Sequence, residues 1–182
     1  MPTLRTSKTL PNAIYFCTLT VIEWIDIFTN ASYFNILAES LCFCVGNKGL
    51  KLYGYVFMTN HIHLIFSTER GHAAEAFLRD FKKWTTKSIV GQLENEPRRY
   101  IKNLLSTTIF KKRTNAMQIW QSSNFPEMIE SEQFFLQKLN YIHMNPVRKG
   151  YVARVEDWEY SSARNWVGGD HCVIPVVTTE LW

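Results

Sequence analysis

The chain lacks a long apolar run, and this excludes an ordinary membrane-spanning helix. No stretch of its 182 residues reaches the roughly 20 apolar residues that cross a bilayer, because Glu23 and Asp26 end the best candidate, 13–22. That candidate is rich in β-branched and aromatic residues and has no small-residue cleavage site. It therefore predicts a buried strand and not a secretory signal. We expect a soluble, cytoplasmic protein without a membrane partner.

Paired cysteines, repeats and flexible linkers are also missing. The four cysteines, Cys17, Cys42, Cys44 and Cys172, include no Cys-x-x-Cys pair of the kind found in redox motifs and zinc knuckles. We expect reduced, mostly buried thiols, as is usual in the cytosol. Because no repeat, low-complexity segment or linker rich in Gly, Pro and Ser divides the chain, residues 1–182 are predicted to form one domain.

Apolar and aromatic residues, by contrast, are plentiful. They make up 46% and 14% of the chain, which is ample for a core and excludes a mostly disordered protein. The net charge is +4, with a pI near 8.9. That charge gives only a mild preference for anionic partners.

The order of apolar and polar residues predicts an α+β fold. Three segments are predicted strands: 13–22, 51–58 and 61–67. Four are predicted helices: 32–45, 73–91, 131–145 and 160–166. A strand-like tail is predicted at 172–177, and the polar stretch 92–124 is predicted to be a partly helical basic insertion. Strand, helix, hairpin and helix in this order are typical of a ferredoxin-like or RRM-like antiparallel sheet with helices packed on one face.

Positive charge is concentrated in one part of the chain. Residues 79–113 hold ten of the twenty Lys and Arg side chains and three acids, so this segment carries +7 and the remainder −3. The ten are Lys102 and nine that we expect to contact nucleic acid: Arg79, Lys82, Lys83, Lys87, Arg98, Arg99, Lys111, Lys112 and Arg113. The alternative is a merely solvated helix face, which is the usual role of charge runs. Three aromatics of this region are candidates for stacking on unpaired bases: Trp84, Tyr100 and Trp120.

Two histidines on one predicted strand form a candidate metal site. His61 and His63 are separated by one residue, so their imidazoles project from the same face of the strand, while Ile62 and Leu64 face the core. An isolated pattern of this kind more commonly represents ordinary, partly buried histidines. Two imidazoles also leave a metal site incomplete without an oxygen donor.

The predicted helix 131–145, capped by Ser131 and ended by Pro146, offers that donor and a nucleophile. Tyr141 and Asn145 are four residues apart and share one helical face. Taken separately, a packed tyrosine and a helix-end asparagine are the commoner interpretations. Beside two histidines and a basic face, we expect Asn145 to ligate the metal and Tyr141 to attack a phosphate.

Three motifs in order resemble the single-tyrosine HUH transposases, in particular the REP-associated tyrosine transposases. They are GYVFMTNHIHLIF, YIHMNPVRKGYV and DWEYSSARNW. The resemblance implies a ferredoxin-like domain that binds single-stranded DNA containing hairpins, such as repetitive palindromic or transposon-end elements. It further implies Mg²⁺ or Mn²⁺ bound by His61 and His63, with Asn145 as third ligand.

The resemblance also implies the reaction, which is cleavage through Tyr141 that leaves a 5′-phosphotyrosine and a free 3′-hydroxyl, followed by rejoining. The absence of a Gly-rich phosphate loop fits a reaction that hydrolyses no nucleotide. Some relatives assemble their sites in a homodimer. Two departures are Thr59, where the family often has proline, and the long 92–124 segment. Two alternatives stay open: a binder of structured single-stranded DNA that no longer cleaves, and a metal hydrolase that uses water.

Overall fold

A four-stranded antiparallel sheet forms the centre of the molecule. The computed structural model describes residues 10, 12–69, 73–95, 103, 118–122, 125–168 and 173–179. The strands are β1 (Tyr15–Thr20), β2 (Leu50–Phe57), β3 (His61–Thr68) and β4 (Glu127–Met128). Their order in the sheet is β2-β3-β1-β4. The first three confirm the predicted strands to within two residues at each end, whereas the two-residue β4 has no periodicity that a sequence could reveal.

Five helices accompany the sheet in the described part of the chain. They are α1 (Ala31–Asn47), α2 (Ala74–Glu94), α3 (Glu132–His143), α4 (Asn145–Arg148) and α5 (Ala163–Trp166). The side chain of Asn30 accepts a hydrogen bond from Ser32 N at the start of α1, and Ser131 accepts one from Phe134 N at the start of α3. The predicted Ser131 cap is therefore confirmed, and Asn30 caps α1 in the same way.

The two faces of the sheet carry separate hydrophobic cores. On one face α1 and α2 pack on alternate residues of β1 and β3, including Cys17 and Leu64. On the other face α3 covers Phe16 and Ile65. The predicted α+β class with an antiparallel sheet is confirmed. Packing on one face holds for α1 and α2, but α3 lies on the opposite face because its apolar stripe matches the other alternating set of strand residues.

A glycine allows α3 to approach the sheet. The pairing of β2 with β3 shifts register between Leu52 and Gly54, so Gly54 faces α3. A Cβ atom at Gly54 would lie 2.9 Å from Leu139 Cδ1 and 3.0 Å from Ile142 Cδ1. Only a residue without a side chain permits this approach.

The chain after α3 differs from the prediction in two places. Pro146 does not simply end the helix, because it sits in the first turn of α4, where a missing N–H is tolerated. Residues 173–177 are irregular and not a strand, and Val177 N donates to Leu52 O. The predicted insertion 92–124 falls largely outside the described residues. Within the described ranges, no helix is both long and apolar enough to cross a membrane.

Candidate functional site

His61 and His63 lie side by side on the face of β3 that α3 covers. Their ring centroids are 4.8 Å apart and the rings meet at 78°. Both side chains are buried, with 7% and 3% of their surface exposed. Ile62 and Leu64 pack into the core behind them. The prediction that the two imidazoles share one face is confirmed.

Each imidazole uses its Nδ1 atom in a hydrogen bond within the protein. His61 Nδ1 lies 2.7 Å from Asn60 Oδ1. The Asn60 amide nitrogen donates to Asp26, which orients the oxygen toward the ring and makes His61 Nδ1 the donor. His63 Nδ1 lies 2.8 Å from Thr18 Oγ1. A bond of this kind fixes the ring of a metal-ligating histidine, and where Nδ1 is the donor it leaves Nε2 with the lone pair.

The Nε2 atom of His63 is buried and has no hydrogen-bond partner among the residues that the structure describes. A buried polar atom without a partner is costly and uncommon in a native protein. Burial lowers the pKa of His61 to about 4, with a further contribution from Lys149. It lowers the pKa of His63 to about 3, with contributions from His61 and Lys138. Both rings are therefore neutral at pH 7, which is the state that binds a metal.

These features fit a divalent metal held by two imidazoles. Among the described residues, no group of three or more His, Cys, Asp or Glu side chains is arranged to hold a metal. Any further ligand from the described part of the chain is accordingly of another type, such as an amide oxygen. Imidazole and amide donors accept Mn²⁺ or Mg²⁺ as well as softer ions.

Tyr141 lies beside His63, as the predicted site requires. The last turns of α3 bring its ring centroid to 5.3 Å from that of His63 and 6.3 Å from that of Phe16. The side chain is 40% exposed, so an external substrate has access to the phenol. The distance between Tyr141 and His63 could not be deduced from the sequence, because the two residues are far apart in the chain and meet only through packing.

Asn145 and His143 flank this tyrosine in different ways. Asn145 is buried at the start of α4, and its amide nitrogen donates to the Tyr141 carbonyl at 3.3 Å. That bond uses the nitrogen of the amide, whereas a metal would bind the oxygen. His143 points away from the site, where its Nε2 lies 2.8 Å from Ser162 Oγ. Its exclusion from the predicted ligand set agrees with this position.

Three cations that the sequence did not single out border the site. The Arg148 guanidinium lies 5.7 Å from the Tyr141 ring centroid. Lys138 Nζ lies 4.4 Å from the Phe16 ring centroid and 2.7 Å from Glu127 Oε2. Lys149 acts electrostatically on His61. Arg148 and Lys149 follow Tyr141 by seven and eight residues, within the motif that also carries Asn145, and this was the available signal.

A strained loop brings Trp24 to the other side of the histidine pair. Trp24 is 58% exposed, and its ring centroid is 5.7 Å from that of His61. Glu23 and Trp24 have φ angles of 52° and 55°, a left-handed conformation that costs residues with a Cβ about 1 kcal/mol or more each. No sequence pattern identified this residue.

The predicted basic stripe of α2 lies away from this site. Its helix packs on the face of the sheet opposite to α3. Arg79 pairs with Asp80, and Lys82 Nζ donates to Gln121 O. Lys83 and Lys87 are exposed. The other five predicted contacts, Arg98, Arg99, Lys111, Lys112 and Arg113, lie outside the described residues, as do Lys102 and Tyr100.

A groove of about 490 Å³ runs beside this stripe, lined by Lys82, Lys83, Lys87 and the edge of Trp120 among others. Trp120 is only 2% exposed, and its indole nitrogen donates to Thr85 Oγ1. The suggestion that Trp120 stacks on bases is therefore wrong, because its ring is part of the core. Trp84, at 46% exposure, is available at the surface.

Comparison with known proteins supports the resemblance. No protein-family model matches the chain. A candidate REP-associated tyrosine transposase of Haemophilus influenzae is 30% identical over 105 residues, which are 58% of this chain and 54% of the relative. This chain thus matches about half the length of that curated relative.

Two solved structures were also compared. The structure of a REP-associated tyrosine transposase bound to a REP hairpin matches with a TM-score of 0.67 and 18% identity, covering 99% of this chain and 94% of that one. This match shows a shared fold. A candidate transposase of Deinococcus radiodurans gives a TM-score of 0.46 at 15% identity, over 78% and 95% of the two chains, which is too low to support an inference. Part of this sequence is therefore similar to a candidate REP-associated tyrosine transposase, and the chain shares the fold of another transposase of that name.

Proposed function

We propose that this protein is a DNA strand transferase that cleaves and rejoins single-stranded, hairpin-containing DNA through Tyr141. The observation that carries the proposal is the position of the Tyr141 ring, 5.3 Å from a histidine whose buried Nε2 has no partner. A half-exposed phenol beside a candidate metal ligand is the arrangement that attack on a phosphate needs.

The proposed reaction exchanges one phosphate ester for another. The Tyr141 Oη attacks the phosphorus of the scissile phosphodiester, and the bond from phosphorus to the 3′ oxygen of the preceding nucleotide breaks. The phenolic proton leaves to solvent and the departing oxygen takes up a proton, which yields a 5′-phosphotyrosine and a free 3′-hydroxyl. A second 3′-hydroxyl then attacks the same phosphorus and releases Tyr141. No water or nucleotide is consumed.

The side chains around Tyr141 have distinct proposed roles. His61 and His63, with the amide oxygen of Asn145, would hold Mg²⁺ or Mn²⁺, which when bound polarises the scissile phosphate and favours attack. Arg148 places positive charge beside the phenol, where the non-bridging phosphate oxygens would lie. Asn60 maintains the orientation of the His61 ring, and Thr18 maintains that of the His63 ring.

The proposed substrate is single-stranded DNA with a hairpin. A solved structure with the same fold is bound to a REP hairpin, and the basic residues of this chain suit a phosphate backbone. Exposed Lys83 and Lys87, on the far side of the sheet from Tyr141, would contact DNA away from the scissile phosphate, as would Arg79 and the predicted cations of the 92–124 segment.

A covalent-adduct assay tests this proposal. The protein is incubated with hairpin oligonucleotides carrying single-stranded flanks and Mg²⁺ or Mn²⁺, and adducts are resolved on a denaturing gel. Wild-type protein should form an adduct, and Tyr141→Phe should not. Tyr151→Phe is the matched control, because Tyr151 is similarly exposed (44% against 40%), its ring packs against Trp158 and its hydroxyl lies 3.3 Å from Thr59 Oγ1.

Other outcomes select the alternatives. Salt-sensitive hairpin binding without an adduct under either metal would indicate a non-cleaving binder. Cleavage without a covalent intermediate would indicate hydrolysis by water. A homodimer that completes each site across two chains would regain adduct formation when Tyr141→Phe and His63→Ala chains are mixed, whereas a monomer would not.

A further inference from the structure

Trp24 is held in place by a network that begins at the histidine pair. The Asn60 amide nitrogen donates to the Trp24 carbonyl at 3.1 Å and to Asp26 Oδ1 at 2.9 Å. Thr59 Oγ1 donates to the same Asp26 oxygen at 2.5 Å. The Asn60 oxygen meanwhile accepts from His61. The loop and the metal-site histidine are therefore oriented by one side chain.

The backbone of this loop is strained, and in this conformation the indole of Trp24 is exposed to solvent. Glu23 and Trp24 both adopt left-handed φ angles that side chains with a Cβ rarely take. The 3-10 turn Ile22–Trp24 that contains them buries none of its residues. A large aromatic side chain exposed by a conformation that costs free energy indicates a purpose other than packing.

The exposed ring continues a row of rings across the candidate site. Its centroid lies 5.7 Å from that of His61, which lies 4.8 Å from that of His63, which lies 5.3 Å from that of Tyr141. Trp24 thus stands at one end of the row and the proposed nucleophile at the other. The Trp24 and His61 rings meet at 69°, an edge contact that leaves much of the indole open.

We propose that Trp24 is a binding subsite for an unpaired nucleobase, which stacks on the indole while the adjoining backbone phosphate lies over the histidine pair. The inference rests on the proposed function, because it assigns a partner to the same site. Stacking on an aromatic ring suits single-stranded DNA, whose bases are free of partners, and it tolerates any base. The subsite positions the strand and takes no part in bond breaking.

The experiment is a double-mutant cycle between the ring and the base. Binding is measured by fluorescence anisotropy in a Tyr141→Phe background, so that cleavage does not interfere. The probes are hairpin oligonucleotides in which each unpaired flanking nucleotide is replaced in turn by an abasic site. Phe43→Leu is the matched control, since Phe43 is a similarly exposed aromatic residue (55% against 58%) on α1, across the sheet.

Trp24→Leu should weaken binding of the intact flanked hairpin by about 5- to 100-fold, as expected for one lost stacking contact. An abasic site at one flanking position should cause the same loss in protein that retains Trp24 and little further loss in Trp24→Leu. Trp24→Phe should keep most of the affinity and the coupling, which also guards against a folding defect in Trp24→Leu. Phe43→Leu should bind as the parent does.

Additive losses at every flanking position would overturn the proposal, as would equal losses in Trp24→Leu and Phe43→Leu. Failure of a flanked hairpin to bind more tightly than a flankless one would also overturn it. Adduct formation by the wild-type protein, measured separately, distinguishes the two hypotheses. If the adduct forms but Trp24 and the flanking base show no coupling, only the stacking subsite is refuted. If they show coupling but no adduct forms, only the transferase proposal is refuted.

Discussion

Gly54→Ala is predicted to displace the helix that carries Tyr141. The new Cβ would lie 2.9 Å from Leu139 Cδ1 and 3.0 Å from Ile142 Cδ1, whereas carbon atoms in contact prefer about 3.5–4.0 Å. Both side chains are buried, at 6% and 0% exposure. Neither can turn into solvent, so α3 must move away from the sheet by roughly 0.5–1 Å to restore that spacing.

The expected loss of stability is moderate. Overpacking lowers the free energy of unfolding by about 1–3 kcal/mol. Replacing glycine with alanine raises it by about 0.4–1 kcal/mol, because alanine restricts the unfolded chain. A net loss of about 1–2 kcal/mol lowers the Tm by about 2–8 °C in a domain of this size. Activity should fall further than stability, because a misplacement of about 1 Å at a reacting group costs on the order of 100-fold.

Thermal unfolding and single-turnover adduct formation measure the two effects. Gly46→Ala and Gly91→Ala are the controls, since a Cβ at either position meets nothing within 4 Å. Both lie inside helices and should gain about 0.5–1 kcal/mol. Adding Ile142→Val to Gly54→Ala removes one clashing atom, so the double variant should be more stable than the sum of the single effects. A Gly54→Ala protein as stable and active as Gly46→Ala would refute the packing that places Tyr141.

Three further predictions concern the histidines and a buried thiol. Mn²⁺ at 100 times its Kd should stabilise the protein by about 2.7 kcal/mol and raise the Tm accordingly, in His143→Gln but not in His63→Ala; an equal rise in both would contradict the metal site. Ser162→Ala leaves His143 Nε2 and Tyr55 N without their partner and should cost about 1–3 kcal/mol by urea unfolding, while exposed Ser32→Ala should change little. Burial raises the pKa of Cys17 to about 12, so at pH 8 it stays a protonated thiol and should react with iodoacetamide only after unfolding; rapid labelling of native protein would show that the β1 core is wrong.

The parts of the site that a single element determines could be predicted from the sequence. The side-chain period of a strand placed His61 and His63 on one face, and the structure has them there. The helical period predicted Tyr141 and Asn145 on one face of a single helix; in the structure α3 ends at His143, and Asn145 begins α4 with its amide nitrogen bonded to the Tyr141 carbonyl. Local geometry is enough for such predictions, because the φ and ψ angles of an element determine the directions in which its neighbouring side chains point.

The parts that depend on packing between distant segments could not be predicted. The sequence suggested helices on one face of the sheet, but α3 packs on the other because Gly54 leaves room for Leu139 and Ile142. Trp24 reaches His61 through two left-handed residues that no propensity favours. Trp120 was taken for a surface aromatic, although it belongs to the core.

The charge pattern of the sequence predicted a basic stripe but not its position relative to Tyr141. The stripe on α2 lies across the sheet from Tyr141, and the Lys82 ammonium donates to the Gln121 carbonyl. Arg148 and Lys138, which border the proposed nucleophile, lie outside the basic segment 79–113. Which cations converge on a site is decided by the fold and not by their spacing along the chain.

Mass-spectrometric mapping of the covalent adduct tests the central claim most directly. The adduct formed with a flanked hairpin is trimmed with nuclease, digested with trypsin and sequenced by fragmentation. The account predicts a nucleotide phosphate on Tyr141, in wild-type and Tyr151→Phe protein alike. A phosphate on any other residue, or bound DNA without an adduct in the presence of Mn²⁺ and Mg²⁺, would contradict it.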